Sequence, residues 1–597
     1  MKRLRLLPLK HPISATLTVP GSKSYTNRAL LLAALTPQPV KIISPLISDD
    51  TRAMVSCLSR LGIEVTSGSD FIEVRGSILD VQEASYELDA DLSGTTLRFL
   101  TALCCIIPGT QRLFGKAELN VRPIGELVNG LKQLGAKIEY LDREGYPPLL
   151  ISSSTLSSGT VKLSGSESSQ YLSALLMIAP IVGDVTITVP GKLISQPYVN
   201  MTIAAMKDFK VAVTKKSSKS YHIKQQPYMC REYRVEGDVS SASYFFAIAA
   251  LNASTLTLKN LNPKSIQADM GFLKVLEKMG NTINYGKSEV TIIGKGIRPV
   301  DVNMQDCPDQ AQTLAVLAAF AKGVTTISGI ESLRVKETER IKALEQELEK
   351  MGIQTSSTVS SLKIHGGNPK PASIATHGDH RMAMAFAVAG TKLAGVEICD
   401  PDVVTKTFPV FWEKLTSIGV GVEYIERNIV LVGMRGSGKT TVSKQLAEKL
   451  AIEHLDLDTL MSQKLGASTA DIVAEHGWDY FRDQEAAITK EVSALNQKLI
   501  STGGGVVLRP ENVASLQKNG TVVMLHASPE VLVARLGDSS DRPALTDAET
   551  LEEEVEQVLA ERQKLYEDAA DVIIDTDSLS PEQVVAEILS LLDQGQL

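Results

Sequence analysis

Long uninterrupted apolar runs are missing from this 597-residue chain. The best stretch, Leu172 to Val189, is broken by Pro180, Gly183 and Asp184, whereas a membrane span needs roughly 18 or more apolar residues in a row. The N-terminus, MKRLRLLPLKHPIS, has the positive start of an export signal but neither its apolar segment nor its small-residue cleavage site. A cytoplasmic protein with no membrane partner is therefore expected. Cysteine is scarce, and Cys57, Cys104, Cys105, Cys230, Cys307 and Cys399 form no C-x-x-C pair, which argues against a disulfide scaffold and a zinc site. A basic stripe interleaved with aromatics is also lacking, so nucleic acid is not an expected partner. What remains is ordinary globular composition, 43% apolar and 22% charged, which excludes disordered, collagen-like and coiled-coil classes. At ~100–200 residues per domain the length calls for roughly three or four domains.

Charge divides the chain. Residues 427–597 hold 15 Lys+Arg against 29 Asp+Glu, net −14, and residues 1–426 hold 46 against 40, net +6. The single, spaced cations of the longer, basic segment suit small anionic substrates. Along that segment a short pattern recurs six times, apolar-x-x-apolar and then, in five copies, glycine, followed by alternating apolar residues. The copies begin at Leu58, Leu131, Met206, Leu276, Leu348 and Leu415, and only the third lacks the glycine, having Lys210 in its place. Each predicts a helix closed by a C-terminal turn, a strand, a polar turn and a second strand. Six such βα units exceed one small core, so two globes of three units are expected. We assign residues 1–20 plus 237–425 to one globe and 21–236 to the other, joined by two crossings that form a hinge. The segment Leu4–Val19 is expected to supply strands missing from the last unit. The fold class is α/β, with residues 426–597 forming a separate parallel sheet covered by helices, because strands and helical stretches alternate there.

Strand NIVLV runs into Gly433-Met-Arg435-Gly436-Ser437-Gly438-Lys439-Thr440-Thr441 and then a helical pattern, the strand-loop-helix context of a phosphate-binding loop. Its backbone N–H groups face phosphate oxygens, Lys439 reaches the β/γ-phosphates of a nucleotide, and Thr440 offers a hydroxyl to magnesium. Asp456 and Asp458 follow the next strand and are expected to leave one face together, one organising magnesium and the other orienting or deprotonating an acceptor hydroxyl. Arg482 suits a carboxylate, Gly503-Gly504-Gly505 permits close backbone approach, and Arg542 lies in a polar, lid-like loop.

In the basic segment, Lys23, Ser24 and Arg28 surround a predicted helix start, as do Arg122, Arg381 and Lys406 in other units, where backbone N–H groups favour anions. Lys336 and Arg340 at i,i+4 and Glu337 and Arg340 at i,i+3 are read as one helical face bearing two cations beside a carboxylate.

These segments carry a resemblance. PGSKSYTNRALLLAAL, SGTTLRFL, VRPIG, SSQYLSALL, EGDVSSASYF, RVKETER, GDHRMAMAFAVA and KTFPVFW occur in the order found in the 5-enolpyruvylshikimate-3-phosphate (EPSP) synthase family. MRGSGKTT, LDLD, FRDQE, TGGG, DRPAL and ERQKLY resemble shikimate kinase. Synthase followed by kinase resembles a piece of the fungal pentafunctional AROM polypeptide. The resemblance implies phosphoenolpyruvate at Lys23, Gly94, Arg122, Arg340, Arg381 and Lys406. It places shikimate 3-phosphate at Ser24, Arg28, Ser168, Ser169, Gln170, Ser195, Tyr198, Asp309 and Lys336. Glu337 and Lys23 would handle protons, and Asp309 would touch the attacking hydroxyl. In the kinase it implies shikimate at Asp458, Arg482, Gly504 and Arg562, Mg2+ at Thr440 and Asp456, and Arg542 closing over ATP; the synthase would need no cofactor. Leu92 and Ser332 depart from the family's usual asparagines. A UDP-N-acetylglucosamine enolpyruvyl transferase joined to another small-molecule kinase is the alternative enzyme reading, and a non-catalytic regulatory module the alternative of another class.

Overall fold

The computed structural model describes residues 2–152, 155–165, 167–191, 193, 195–217, 219–537, 545–546 and 548–593. The chain divides into two compact units, Arg5–Glu423 and Tyr424–Leu597 with Met1–Leu4.

The six repeated turns of the larger unit share one backbone solution. Ile63 N donates to Leu58 O, Ala136 N to Leu131 O, Val211 N to Met206 O, Asn281 N to Leu276 O, Ile353 N to Leu348 O and Val420 N to Leu415 O. Each bond closes a helix end around a residue in the left-handed region: Gly62, Gly135, Gly280, Gly352 and Gly419 have φ between 73° and 114°, and Lys210 has φ 67°. The third copy thus keeps the turn without the residue that makes it easy.

Five of the six repeats contribute an antiparallel hairpin, and in each of the six sheets one further strand runs parallel to its neighbour. In the first, Val40–Ile43 pairs antiparallel with Phe71–Arg75, and its parallel neighbour Glu232–Arg234 arrives from far along the chain. In the fourth, Thr255–Lys259 takes Ser14–Thr18 as its parallel neighbour, with Leu17 opposite Leu258. The expectation for Leu4–Val19 holds for the first strand, since Lys2–Leu7 lies between Glu397–Cys399 and Gly421–Glu426 in the sheet of the last repeat, and is corrected for the second. Leu6 N does donate to Val396 O at 3.0 Å in the last repeat, but Ser14–Thr18 completes the fourth. A parallel edge strand is chosen by a distant partner, and its own alternation does not name that partner.

Two sets of three helices pack against the sheets and are buried nearly all round, polar side chains such as Asn27, Arg28 and Thr101 included. Lys23–Ala34, Gly94–Cys104 and Ser169–Val182 form one set; Val239–Leu251, Ala311–Phe320 and His380–Gly390 form the other. Buried side chains from Tyr25 to Val235 make a continuous cluster around the first set.

The smaller unit holds a five-stranded, all-parallel sheet in the spatial order Glu453–Asp456, Lys498–Ser501, Asn428–Val432, Gly520–His526 and Val572–Asp575. Alternation on the central strand decides the layers: Val430 and Val432 join one apolar cluster, and Ile429 and Leu431 the other, so helices cover both faces.

Candidate active sites

Helix starts position the larger unit's polar residues. Lys23 and Ser24 open one buried helix, Ser168 and Ser169 another, and Arg381 a third, while Asp309 lies in the short turn Pro308–Gln310 before Ala311–Phe320. Their positive ends favour anions. Two cavities, about 110 and 190 Å3, share Lys23, Arg98, Asp309, Lys336 and Arg381 in their linings.

Two carboxylates gather most of the cations. Glu337 lies 3.2 Å from Arg122, 2.8 Å from Arg340 and 3.6 Å from Lys406. Asp309 lies 3.0 Å from Arg340, 3.3 Å from Arg381 and 3.5 Å from Lys336. Burial opposes ionisation of Glu337, but Arg122, Arg340 and Lys406 outweigh it and hold the carboxyl well below its usual range. Asp309 is held low in the same way, chiefly by Arg381 and Lys336 against the effect of burial. His380, fully buried nearby, is pushed well below the usual histidine value by burial and is neutral.

The helical spacing read across residues 336–340 is corrected. The short turn Glu331–Val335 ends before Lys336, and the α-helix begins only at Arg340, with the Glu339 side chain capping Ile341 N and Lys342 N. Glu337 meets Arg340 from an irregular segment instead. Arg340 is 1% exposed and also donates to Asp379 at 2.6 Å, so its guanidinium is fixed from three sides.

The remaining expected residues surround these. Arg28 donates to Thr202 at 2.8 Å and to the carbonyls of Ser24 and Tyr198 at 2.8 and 3.2 Å. Ser168 caps its helix by accepting from Gln170 N, and Gln170 is tied to Arg98 at 2.6 Å and Thr95 at 3.1 Å. Ser195 opens the helix Gln196–Asp208 with φ 52°. Gly94 matters for what it lacks: a Cβ there would sit 2.9 Å from Arg122 Nη1 and 3.4 Å from Arg98 Nη1. Sequence reasoning gave no role to Arg98, to Asp379, or to Asp50, which pairs with Lys23 at 2.8 Å. Asp379 stood in the DHR motif beside Arg381, a usable signal; Asp50 had none, because its partner is on another helix.

In the smaller unit a cavity of about 880 Å3 is lined by Arg435 to Thr441, Asp458, Arg482, Gly503 to Gly505 and Arg562. Gly436 and Gly438 take φ of 85° and 92°, the left-handed region that lets the loop turn tightly. Lys439 Nζ donates to the carbonyls of Gly433 and Met434, both at 2.9 Å. Asp456 and Asp458 do not leave one face together. Asp456 ends its strand and caps the next helix, accepting from Thr459 N at 3.0 Å, Ser501 at 2.8 Å and Thr440 Oγ1 at 3.3 Å. Asp458 is already inside that helix, whose turn carries it away to the cavity, beside Gly503 and Glu485. The strand period stops applying at Leu457.

Arg482 is held by Glu485 at 2.7 Å and stacks near Trp478 and Phe481. A Cβ on Gly505 would overlap its guanidinium, which explains that glycine. Arg562 Nη1 and Tyr566 OH donate to Gly504 O. Glu485 and Glu554, the partner of Arg435, were not singled out from the sequence. Arg542 lies outside the described residues. Among the described residues no helix is long and apolar enough to cross a membrane.

Comparison with known proteins gives the family. Residues 9–415 match the family model for EPSP synthase (3-phosphoshikimate 1-carboxyvinyltransferase), and residues 435–593 match that for shikimate kinase. A 3-phosphoshikimate 1-carboxyvinyltransferase of Trichormus variabilis is 40% identical over 69% of this chain and 98% of its own. The pentafunctional AROM polypeptide 1 of Lodderomyces elongisporus is 37% identical over 94% of this chain, which spans 39% of that relative's length. The solved EPSP synthase of Acinetobacter baumannii, 23% identical, shares the fold with a TM-score of 0.63 over 71% of this chain and all of its own. The chain therefore belongs to the EPSP synthase family and carries a shikimate kinase domain after it.

Proposed function

We propose that the chain performs two consecutive reactions: ATP-dependent phosphorylation of the 3-hydroxyl of shikimate in the smaller unit, and transfer of the enolpyruvyl group of phosphoenolpyruvate to the 5-hydroxyl of shikimate 3-phosphate in the larger. The observation carrying this reading is the pair Glu337 and Asp309, two ionised carboxylates between five cations in a cavity wall.

Two anionic substrates repel each other, and a wall of cations offsets that repulsion. The phosphate and carboxylate of phosphoenolpyruvate compete with Glu337 for Arg122, Arg340 and Lys406. As those charges turn to the substrate, Glu337 loses what keeps it ionised and can take up a proton. It then gives that proton to the methylene carbon of phosphoenolpyruvate. The 5-hydroxyl oxygen bonds to the neighbouring carbon as its own proton passes to the Asp309 carboxylate. In the second step Glu337, now a carboxylate, takes a methyl proton back, the double bond re-forms, and the C–O bond to phosphate breaks with the cations holding the departing anion.

In the kinase site the phosphate-binding loop and Lys439 hold the nucleotide, Arg482 and Arg562 take the acceptor's carboxylate, and Asp458 orients its hydroxyl. Thr440 Oγ1 and Asp456 Oδ2 are hard oxygen donors 3.3 Å apart, which fits Mg2+. When bound, the ion neutralises charge on the nucleotide phosphates. We place the reactions in the cytoplasm with small-molecule substrates and no nucleic-acid or membrane partner.

Two variants test the assignment together. Lys439→Ala should abolish ATP-dependent phosphorylation of shikimate and leave enolpyruvyl transfer intact, and Glu337→Gln should do the reverse. Loss of both activities in either variant, or of neither, contradicts it.

A further inference from the structure

Asp269 is a buried carboxyl group with no place in the reactions above. It lies in the short turn Ala268–Met270 and is 3% exposed. One of its oxygens accepts from the hydroxyl of Ser240, the second residue of the helix Val239–Leu251. The other, Oδ1, is buried without a hydrogen-bond partner among the described residues. Such an oxygen is costly to keep when charged. Ser240 itself lines the cavity that also holds Ser24, Ser169, Ser195, Tyr198 and Lys336, so the carboxyl reaches that cavity through one hydroxyl.

The charges facing Asp269 come from several elements. Arg381 favours its ionised form, while Asp309 and Asp238 oppose it; Tyr198, Tyr244 and Cys307 also feel its charge. Burial dominates and lifts the carboxyl from 3.8 to about 6. An ionised Asp269 can only accept, so it fixes the Ser240 proton toward itself and leaves the serine oxygen to accept from a ligand hydroxyl. A protonated Asp269 can donate, which frees Ser240 to turn its own proton into the cavity.

We propose that Asp269 is a positioning residue that sets the donor or acceptor role of Ser240 toward the hydroxyl-bearing acceptor substrate. The proposal rests on the reading that this cavity takes shikimate 3-phosphate. Asparagine keeps the shape of Asp269 and stands in for its protonated form.

The test compares KM for shikimate 3-phosphate in the full chain and its Asp269→Asn variant from pH 5 to 7.5. The substrate's own phosphate also titrates near pH 6, but it cancels in the ratio of variant to wild type. That ratio should be near one at pH 5 and change at least threefold by pH 7.5, with its midpoint near 6. In a Ser240→Ala background, Asp269→Asn should have no further effect. A flat ratio, or independent effects of the two substitutions, overturns the proposal. If Asp269→Asn does not fold, Ser240→Ala carries the test alone: its ratio to wild type must show the same inflection, and a flat one overturns the proposal. Thermal unfolding supplies a readout free of substrate, since a carboxyl titrating near 6 makes the melting-temperature difference between wild type and Asp269→Asn depend on pH over this range. A pH-independent difference overturns the proposal. No turnover by wild type, with that dependence present, instead removes the assigned substrate and the role toward it.

Discussion

In the proposed transfer one proton on Glu337 decides the reaction. Glutamine preserves its size and hydrogen bonds but removes the titratable group, and loss of general acid/base catalysis typically costs ~100- to 10,000-fold in rate. Steady-state kinetics of Glu337→Gln should show a kcat fall of that order for enolpyruvyl transfer. A value above half of wild type would remove Glu337 from the proton path. At Asp458 the cavity geometry separates two carboxylates that sequence spacing had put together. Asp458→Asn should leave nucleotide titration normal and stop phosphoryl transfer, whereas Asp456→Asn should weaken the magnesium dependence of nucleotide binding. Interchanged results would exchange their roles. Asp269 has a consequence for stability as well. Its carboxyl titrates near 6 in the folded chain against 3.8 ordinarily, so between those values the folded state binds more protons than the unfolded. Stability from this group therefore falls as pH rises through the window, by up to about 3 kcal/mol. Asp269→Asn should raise the melting temperature more at pH 8 than at pH 4.5, and an equal shift at both would contradict the sign.

At the scale of elements, the six closing turns give a direct energetic comparison. Lys210 holds φ 67° where the other five copies have glycine, and a non-glycine residue in that region costs roughly 1 kcal/mol. Lys210→Gly should move the urea midpoint upward by about that energy with an unchanged m value; a loss of stability would mean that the lysine side chain contributes more than the strain. These turns were legible in the sequence because the hydrogen bonds closing them span only five residues, as did the phosphate-binding loop. The parallel edge strands Ser14–Thr18 and Glu232–Arg234 were not assigned correctly or at all, since parallel partners lie far apart along the chain. The same distinction runs through the sites. Lys23, Arg381 and Lys439 stood out at helix starts, but Asp50, Glu485 and Glu554 are known only by what they touch. The Glu337–Arg340 pair was anticipated from a helix that begins three residues later, so the contact was read correctly for a geometrically wrong reason.

Over the whole molecule, the described residues of each chemical set fall within one of the two units, and the charge contrast of −14 for residues 427–597 and +6 for residues 1–426 follows much the same division. If shikimate 3-phosphate passes through solution, equal amounts of the Glu337→Gln and Lys439→Ala proteins should together restore the overall conversion that neither performs alone. Failure of the mixture, with each remaining activity intact, would require direct transfer within one chain.

The most direct measurement follows phosphorus in one tube. The wild-type chain, shikimate, ATP, Mg2+ and phosphoenolpyruvate are combined and observed by 31P NMR. The account predicts that the shikimate 3-phosphate signal rises and then gives way to 5-enolpyruvylshikimate 3-phosphate, with inorganic phosphate released in equal amount to that product. Accumulation of shikimate 3-phosphate without the second product, or of neither compound, would contradict the claim that this chain joins the two reactions.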